Sequence, residues 1–134
     1  SENKRNLAVY SLEYKSIRGD GNCLFSAVAE QIGISHTPTS IRIIAIDYMR
    51  NHTAEFEEFI PNFNKQVFDQ RLVNMSNDGV WGDMYEIYAL AEYFQRPIVI
   101  VHDDIKRNHI IFNQNAQELP IFLYYTMGLH YDAL

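Results

Sequence analysis

Apolar residues recur at helical spacing in two stretches of the first half of the chain. The first stretch predicts a helix over residues 23–32, with Gly33 as an expected left-handed C-terminal cap. The second follows Thr37-Pro38, which is typical of an N-cap and a first helical residue, and predicts a helix over about 38–51. The two apolar stripes, interpreted as core, are Leu24, Phe25, Val28, Ala29, Ile32 and then Ile41, Ile44, Ala45, Tyr48, Met49.

A third helix is predicted over about residues 83–94. Asp83 stands at its N-cap, Glu86 occupies the capping-box position three residues later, and Arg96-Pro97 ends it. Residues 55–75 are expected to form one or two further helices.

After Pro97 the pattern changes to short β-branched and aromatic runs, which predict strands at residues 98–101, 109–112 and 121–125. The first run is apolar throughout, as in a central strand that is covered on both faces. Helices should therefore pack on at least one side of the sheet, in one domain of mixed α and β structure.

The composition limits the possible classes of protein. The 134 residues, 47% hydrophobic and 21% charged, fit one soluble domain. No window approaches the roughly 18 apolar residues of a membrane span, and residues 1–5 lack the apolar block of a signal peptide. A cytoplasmic location is therefore expected, and the chain can be a part of a longer protein. A net charge of -6 without a Lys/Arg run argues against nucleic acid as a partner.

The single cysteine lies in a position that can make it reactive. Asp20-Gly21-Asn22-Cys23 is a tight polar turn between a short strand-like run at residues 14–17 and the first helix. A free cysteine thiol has a pKa of about 8.5, and backbone N–H groups at a helix start lower that pKa because they stabilise the thiolate. The same N–H groups can face the carbonyl oxygen that becomes negative during attack. Taken alone, however, a lone cysteine after a turn is more simply a small buried hydrophobe.

A cysteine nucleophile also needs a base, and His130 follows the last predicted strand. If residues 129–132 are extended, His130 and Asp132 project to the same face, with Cα atoms about 7 Å apart, and the carboxylate can orient the imidazole. An isolated His-x-Asp is more often a surface turn. The remaining histidines show no metal-ligand spacing, so no metal is predicted; they are His36, His52, His102 and His109.

A polar loop is predicted at residues 74–79, shortly before Trp81 and Gly82. Trp81 can line a cleft ahead of the third helix. A lone tryptophan is more often a core anchor, and this interpretation is favoured from the residue alone.

Three blocks of the chain, in this order, resemble the OTU (ovarian tumour) family of deubiquitinases. Asp20-Gly21-Asn22-Cys23-Leu24-Phe25 is similar to its cysteine box, and Gly128-Leu129-His130-Tyr131-Asp132 is similar to its histidine box. Val80-Trp81-Gly82-Asp83, followed by Glu86, Ala89-Leu90-Ala91 and the run at 98–101, is similar to its middle block. One departure is Asp83, where the family often has a second glycine. The resemblance covers about residues 14–134.

The resemblance implies an α+β, papain-like OTU fold: a small mixed or mainly antiparallel sheet flanked by helices, with the catalytic cysteine at a helix N-terminus. Residues 1–134 would form a single catalytic domain, in which 1–13 is an N-terminal extension or a helix. No cofactor is implied, and the chain would act as a monomer without nucleic acid or membrane. Its source stays open, since eukaryotes, viruses and intracellular bacteria that act in a host cytosol use this fold.

Carried over residue by residue, the resemblance makes Cys23 the nucleophile, His130 the general base and Asp132 the residue that orients it. Asp20, which some descriptions of the family give the acidic role, is expected to shape the turn. The backbone of Asp20, Gly21, Asn22 and Cys23 would form the oxyanion hole. Trp81, Gly82 and Tyr131 are candidate substrate contacts.

The implied reaction is hydrolysis of isopeptide or peptide bonds after the C-terminal glycine of ubiquitin, free or in polyubiquitin chains. Three other hypotheses stay open: a non-catalytic ubiquitin-binding module of the same fold, a cysteine hydrolase for a ubiquitin-like modifier or another polypeptide, and an interaction domain with an ordinary thiol. Linkage preference is not encoded in any motif that we recognise.

Overall fold

The computed structural model describes residues 21–33, 35–102, 110–126 and 130–133. Five helices precede four strands in this part of the chain. The helices are α1 (Cys23–Ile32), α2 (Pro38–Asn51), α3 (Thr53–Phe59), α4 (Lys65–Met75) and α5 (Met84–Phe94). The strands are β1 (Ile98–His102), β2 (Ile110–Phe112), β3 (Ile121–Thr126) and β4 (His130–Ala133).

These elements confirm the predicted helices at residues 23–32, 38–51 and 83–94, and the predicted strands within one or two residues at each end. One or two helices were expected over residues 55–75, and the structure has two in this region, α3 and α4. The predictions for residues 1–13 and for a strand at 14–17 lie outside the described residues, as does the first residue of the predicted strand 109–112.

Capping interactions determine where α2 and α5 begin. The Thr37 hydroxyl accepts a hydrogen bond from the Ser40 N–H at 3.1 Å, and the Ser40 hydroxyl accepts one from the Thr37 N–H at 2.9 Å, with Pro38 in the first turn. Asp83 and Glu86 form the second capping box, in which the Asp83 N–H donates to Glu86 Oε1 at 2.7 Å. Both predicted N-caps are confirmed, because these contacts are local and satisfy N–H groups that the helix leaves open.

One local prediction was wrong, and another was displaced by two residues. Gly33 caps α1 with φ 131° and ψ 178°, a conformation that glycine tolerates but that is not the left-handed helical one. The loop expected at 74–79 begins later, because α4 runs through Met75. Met75 is buried, as are Phe68 and Leu72 of the same helix, so core packing extends this helix two residues into the predicted polar loop.

The four strands form one mixed sheet with the order β2-β1-β3-β4. β1 is central, as predicted, and is antiparallel to β2 but parallel to β3. β3 is antiparallel to β4, with Thr126 opposite His130 and Tyr124 opposite Asp132. The architecture is therefore α+β, and β4, which carries two of the candidate site residues, closes one edge of the sheet.

Helix α1 packs against β3, β4 and α2, and α2 packs against α4 and α5. The Gln31 side chain fixes α1 on the sheet: its amide donates to the Phe122 carbonyl at 2.6 Å and accepts from the Phe122 N–H at 2.7 Å. Pairing of β3 with β4 starts at Leu123, so Gln31 satisfies the backbone of the residue just before that ladder. This contact places the N-terminus of α1 beside β4.

The two predicted apolar stripes lie in the core, although Ile32, Ile44 and Tyr48 are only partly buried against it. Three charged residues are buried in the described part of the chain, Arg42 on α2, Glu86 on α5 and Asp132 on β4. In the part of the chain that the structure describes, no helix has the length and apolarity to cross a membrane.

Candidate active site

Cys23 is the first residue of α1, where the predicted turn meets the helix. Its side chain is 1% exposed, and its Sγ accepts a hydrogen bond of 3.4 Å from the backbone N–H of Tyr131, 108 positions along the chain. The cysteine segment and the histidine segment therefore meet in the fold. A hydrogen bond donated to sulfur favours its ionised form over the neutral thiol, as does the position at a helix N-terminus.

β4 brings the other candidate residues to this point. The backbone of His130 begins the strand, so residues 130–132 of the predicted extended stretch 129–132 are extended, and residue 129 lies outside the described residues. Asp132 is 1% exposed, which excludes the alternative of a surface turn for this residue. Asp20, the second candidate for an acidic role, lies outside the described residues, and with it one member of the predicted oxyanion hole.

Tyr131 is buried between the cysteine and the sheet. Its ring lies 5.0 Å from the ring of Tyr125 and borders a cavity of about 130 Å³ that also touches Asp83 and His102. Burial raises the pKa of Tyr131, and the nearby Asp83 carboxylate adds to the rise. The phenol therefore stays neutral near Cys23. A direct contact of Tyr131 with substrate remains a prediction.

The turn before the cysteine is packed against a second loop. Gly21 is buried, and a Cβ atom added to it would lie 1.5 Å from the carbonyl oxygen of Gly79. Both groups in this contact belong to the backbone, so neither has a flexible end that can move aside. Only glycine allows the loop after α4 to approach the cysteine turn this closely.

Asn22 connects the same two loops through its side chain. Its Oδ1 accepts hydrogen bonds from Arg42 Nη2 at 2.6 Å and from the Gly79 N–H at 3.1 Å, and its Nδ2 donates to Asp78 Oδ1 at 3.1 Å. Asn22 is also the N-cap of α1, but its side chain makes no capping hydrogen bond to the described first turn of that helix. The side chain of Asn22 is turned away from the helix end that it precedes.

Arg42 is the site residue that the sequence did not reveal. It is 3% exposed on α2, and its guanidinium donates to the Gly21 carbonyl at 3.3 Å as well as to Asn22. Burial lowers the pKa of Arg42, and the charges of Asp78 and Glu86 oppose that change. The available signal was an arginine directly after Ile41, at the edge of the apolar stripe of α2.

The block 80–83 packs on the helix that carries Cys23. A Cβ atom at Gly82 would lie 2.7 Å from Leu24 Cδ2 and 2.9 Å from Phe25 Cζ, so Gly82 allows close contact with α1. Trp81 is 40% exposed, so its favoured interpretation as a core anchor was wrong. Burial of the adjacent Gly82 directs the tryptophan outward, where it borders an open groove along α4. Asp83 has φ -143°, an extended conformation that does not require glycine.

The described part of the chain contains no group of three or more His, Cys, Asp or Glu side chains that could hold a metal ion. The prediction that no metal or cofactor takes part remains a prediction.

Comparison with known proteins identifies the family. A family model described as OTU-like cysteine protease matches residues 18–132. The chain belongs to this family. The matched region includes every candidate residue of the site, from Asp20 to Asp132.

Two curated relatives of this OTU-like protease are named as deubiquitinating enzymes. The OVARIAN TUMOR DOMAIN-containing deubiquitinating enzyme 6 of Arabidopsis thaliana is 36% identical over 124 residues, which cover 91% of this chain and 24% of the relative. Deubiquitinase OTUD6B of Homo sapiens is 28% identical over 142 residues, covering 96% of this chain and 48% of the relative. The chain thus spans half or less of the length of these relatives.

Solved structures show that the fold is that of an OTU domain. The OTU domain of OTUD1 superposes with a TM-score of 0.82 at 20% identity, covering 98% of this chain and 91% of that one. An OTU domain in complex with ubiquitin superposes with a TM-score of 0.72 at 22% identity, covering 90% of this chain and 67% of that one. The predicted α+β OTU fold is confirmed.

Proposed function

We propose that this chain is a deubiquitinase, a thiol-dependent hydrolase that cleaves the isopeptide or peptide bond after the C-terminal glycine of ubiquitin. The observation that carries the proposal is the position of Cys23, at the N-terminus of α1 with its sulfur bonded to the backbone of β4. In a member of the OTU-like cysteine protease family, this geometry fits a nucleophile better than a small buried hydrophobe.

The proposed reaction proceeds by two acyl transfers. His130 takes the proton of the Cys23 thiol, and the thiolate attacks the carbonyl carbon of the terminal glycine. The carbonyl electrons move to the oxygen, which is stabilised by backbone N–H groups of the turn and of Cys23. Collapse of this intermediate expels the lysine amine, which takes a proton from His130. Water, deprotonated by His130, then hydrolyses the thioester and releases ubiquitin with a free carboxylate.

The supporting residues have different proposed roles. Asp132 orients the His130 imidazole and stabilises its charged form, which suits a buried carboxylate on the same strand. Asp20 shapes the turn before the cysteine. Gly82, packed against Leu24 of α1, and the exposed Trp81 beside it are the proposed substrate contacts of this segment.

The substrate class comes from the relatives. Both curated relatives carry the name deubiquitinase or deubiquitinating enzyme, and one structural neighbour is described as bound to ubiquitin. We further propose that the chain acts as a monomer in the cytosol, on ubiquitin alone or in chains. The acidic balance of the chain supports the proposal that nucleic acid is not a partner.

Cleavage of a fluorogenic amide at the C-terminus of ubiquitin tests the proposal, with the wild type and Cys23→Ala compared at equal concentration. We expect the substitution to reduce kcat by more than about 10³-fold, as removal of a nucleophile does. Val28→Ala serves as a control, because Val28 is equally buried in the same helix and lies away from the sulfur by more than one turn. A Cys23→Ala variant that cleaves at the rate of the wild type would overturn the proposal.

A further inference from the structure

We propose that Arg42 is a positioning residue that holds the Gly21–Asn22 turn, so that the backbone N–H groups of Gly21, Asn22 and Cys23 keep the orientation that stabilises the oxyanion of the reaction. Arg42 acts through Asn22 and Gly21 and does not touch the substrate. The inference rests on the function proposed above and extends it to a residue outside the cysteine and histidine segments.

The side chain of Asn22 does not cap α1, although Asn22 is the N-cap residue. An asparagine at an N-cap ordinarily accepts a hydrogen bond from an N–H of the first helical turn. In this structure Asn22 makes no such bond to α1, and its Oδ1 is occupied by Arg42 and by the Gly79 N–H. The Asn22 side chain thus anchors the turn to α2 and to the loop after α4, and the backbone N–H groups of Gly21, Asn22 and Cys23 in that turn are the ones proposed for the oxyanion.

Arg42 has the geometry to hold this arrangement. One terminal nitrogen, Nη2, reaches both Asn22 Oδ1 at 2.6 Å and the Gly21 carbonyl at 3.3 Å. The other, Nη1, donates to the carbonyl of Met75 at 2.9 Å, at the end of α4. The planar guanidinium thus ties the cysteine turn to α2 and α4 at once, which the single ammonium of a lysine cannot do.

Packing around Arg42 makes its position rigid. Its guanidinium lies 4.3 Å above the ring of Phe25, two residues after the nucleophile. Asp78, in the loop after α4, pairs with the opposite side of the Asn22 amide and contributes favourable charge beside Arg42. The hydrogen bonds to Arg42, Gly79 and Asp78 therefore fix the orientation of the Asn22 amide. Loss of Arg42 would remove the hydrogen bonds that it gives to the Gly21 carbonyl and to Asn22 Oδ1, and the turn that carries the oxyanion donors would be held less rigidly.

Two variants on the same helix test the proposal. Arg42→Met removes the guanidinium, and Arg50→Met is the matched control, since Arg50 is exposed on α2 and pairs only with the exposed Asp47 among the described residues. With the fluorogenic ubiquitin substrate, we expect Arg42→Met to lower kcat by about 10²-fold and to change KM by less than about twofold, as loss of an oxyanion donor does. Arg50→Met should match the wild type.

Alkylation by iodoacetamide separates positioning from damage to the thiol. Attack on its saturated carbon forms no oxyanion, so the rate for folded Arg42→Met should stay within about threefold of the wild type. Arg42→Lys should recover less than about a tenth of the lost kcat, because an ammonium cannot replace the guanidinium fork. Equal losses in kcat and in the alkylation rate would overturn the proposal.

A double variant gives a second readout that a purely structural role would not affect. If Arg42 acts by restraining the Asn22 amide, adding Asn22→Ala to Arg42→Met should cause no further loss of kcat, since the restraint that the amide gives to the turn is already lost. Multiplicative losses would show that the two residues act independently and would overturn the proposal. If Arg42→Met does not fold, Asp78→Ala replaces it, because Asp78 holds the other side of the Asn22 amide. We expect Asp78→Ala to reduce kcat by about three- to tenfold, on the order expected for the loss of one peripheral hydrogen bond, and Asp47→Ala to cause no loss.

Hydrogen exchange distinguishes failure of this inference from failure of the proposed function. If the wild type does not cleave ubiquitin, the function fails, but Arg42 can still be tested on the intact chain. Amide exchange in residues 21–25 and 77–80 should be at least about tenfold faster in Arg42→Met than in Arg50→Met. Equal exchange in the two variants would overturn the role of Arg42 whatever the substrate is.

Discussion

The backbone N–H of Tyr131 donates to the Sγ of Cys23 at 3.4 Å, so the edge strand β4 rests directly on the N-terminus of α1. The same strand contains His130 and Asp132. One strand therefore carries the backbone of His130 and of Asp132 on either side of the residue that bonds to the sulfur. The Gln31–Phe122 contact at the other end of α1 keeps that helix in register with the sheet.

The first prediction concerns Asp132. Asp132→Asn removes the charge of a side chain that is 1% exposed and changes the shape of that side chain very little. If Asp132 orients His130, kcat for the fluorogenic ubiquitin substrate should fall by about 10²- to 10⁴-fold, as in other triads. KM should change little, because the oxyanion turn and the block 80–83 are untouched.

Asp20→Asn is the comparison that assigns the acidic role. Since Asp20 is proposed to shape the turn, its substitution should reduce kcat by less than about tenfold, within the range of a lost hydrogen bond. A severe loss for Asp20→Asn with a mild one for Asp132→Asn would reverse the two assignments.

The second prediction concerns Gly21, where a Cβ atom would lie 1.5 Å from the Gly79 carbonyl oxygen. Gly21→Ala must push the two loops apart, at a cost of about 1–3 kcal/mol in unfolding free energy, and should reduce kcat by more than about tenfold. Gly33→Ala is the control, because φ is 131° there but no atom lies within 4 Å of the added Cβ. It should lower stability with kcat retained. Retention of full activity by Gly21→Ala would contradict the close packing of the turn.

The third prediction is a pH dependence of stability that arises from Glu86. This residue is buried and bonded to Arg71 at 2.7 Å, and burial raises its pKa while Arg71 opposes the rise. The folded state therefore binds the proton more tightly than the unfolded state. The stabilising contribution is complete below the unfolded pKa of 4.5 and declines as pH rises through the raised folded value.

Urea unfolding of the wild type and of Glu86→Gln measures this effect. The unfolding free energy of the wild type, minus that of the variant, should decrease between about pH 4 and pH 7. Glu57→Gln, at an exposed position of α3, controls for the change in net charge. A difference that increases with pH would show that Arg71 outweighs the burial of Glu86.

The sequence predicted those parts of the fold that depend on local interactions. The helices at Cys23, Pro38 and Met84 begin where the turn or the N-cap residue before each indicated, because capping and apolar periodicity involve residues within one or two turns. The strand order β2-β1-β3-β4 was not predictable in this way, since the pairing of β1 with β3 depends on contacts between distant residues. The candidate nucleophile and base came from two motifs and their order along the chain.

The contacts around the site were beyond the sequence patterns for the same physical reason. Arg42 lies 20 positions from Asn22, and Gly79 lies 57 positions from it, so no local spacing indicated that all three meet. Trp81 was misread because a residue type alone does not show which neighbour is buried. The close contact of Gly82 with Leu24, which directs Trp81 outward, exists only in the folded chain.

The most direct test of the account is the reaction of the chain with a ubiquitin probe that carries a thiol-reactive group at its C-terminus, followed by intact mass measurement. We predict that the wild type gains the mass of one ubiquitin and that Cys23→Ala, with the same unfolding curve, gains none. That result would establish Cys23 as the nucleophile and ubiquitin as the recognised protein. No adduct on the folded wild type with Cys23 reduced, or an equal adduct on both chains, would contradict the account.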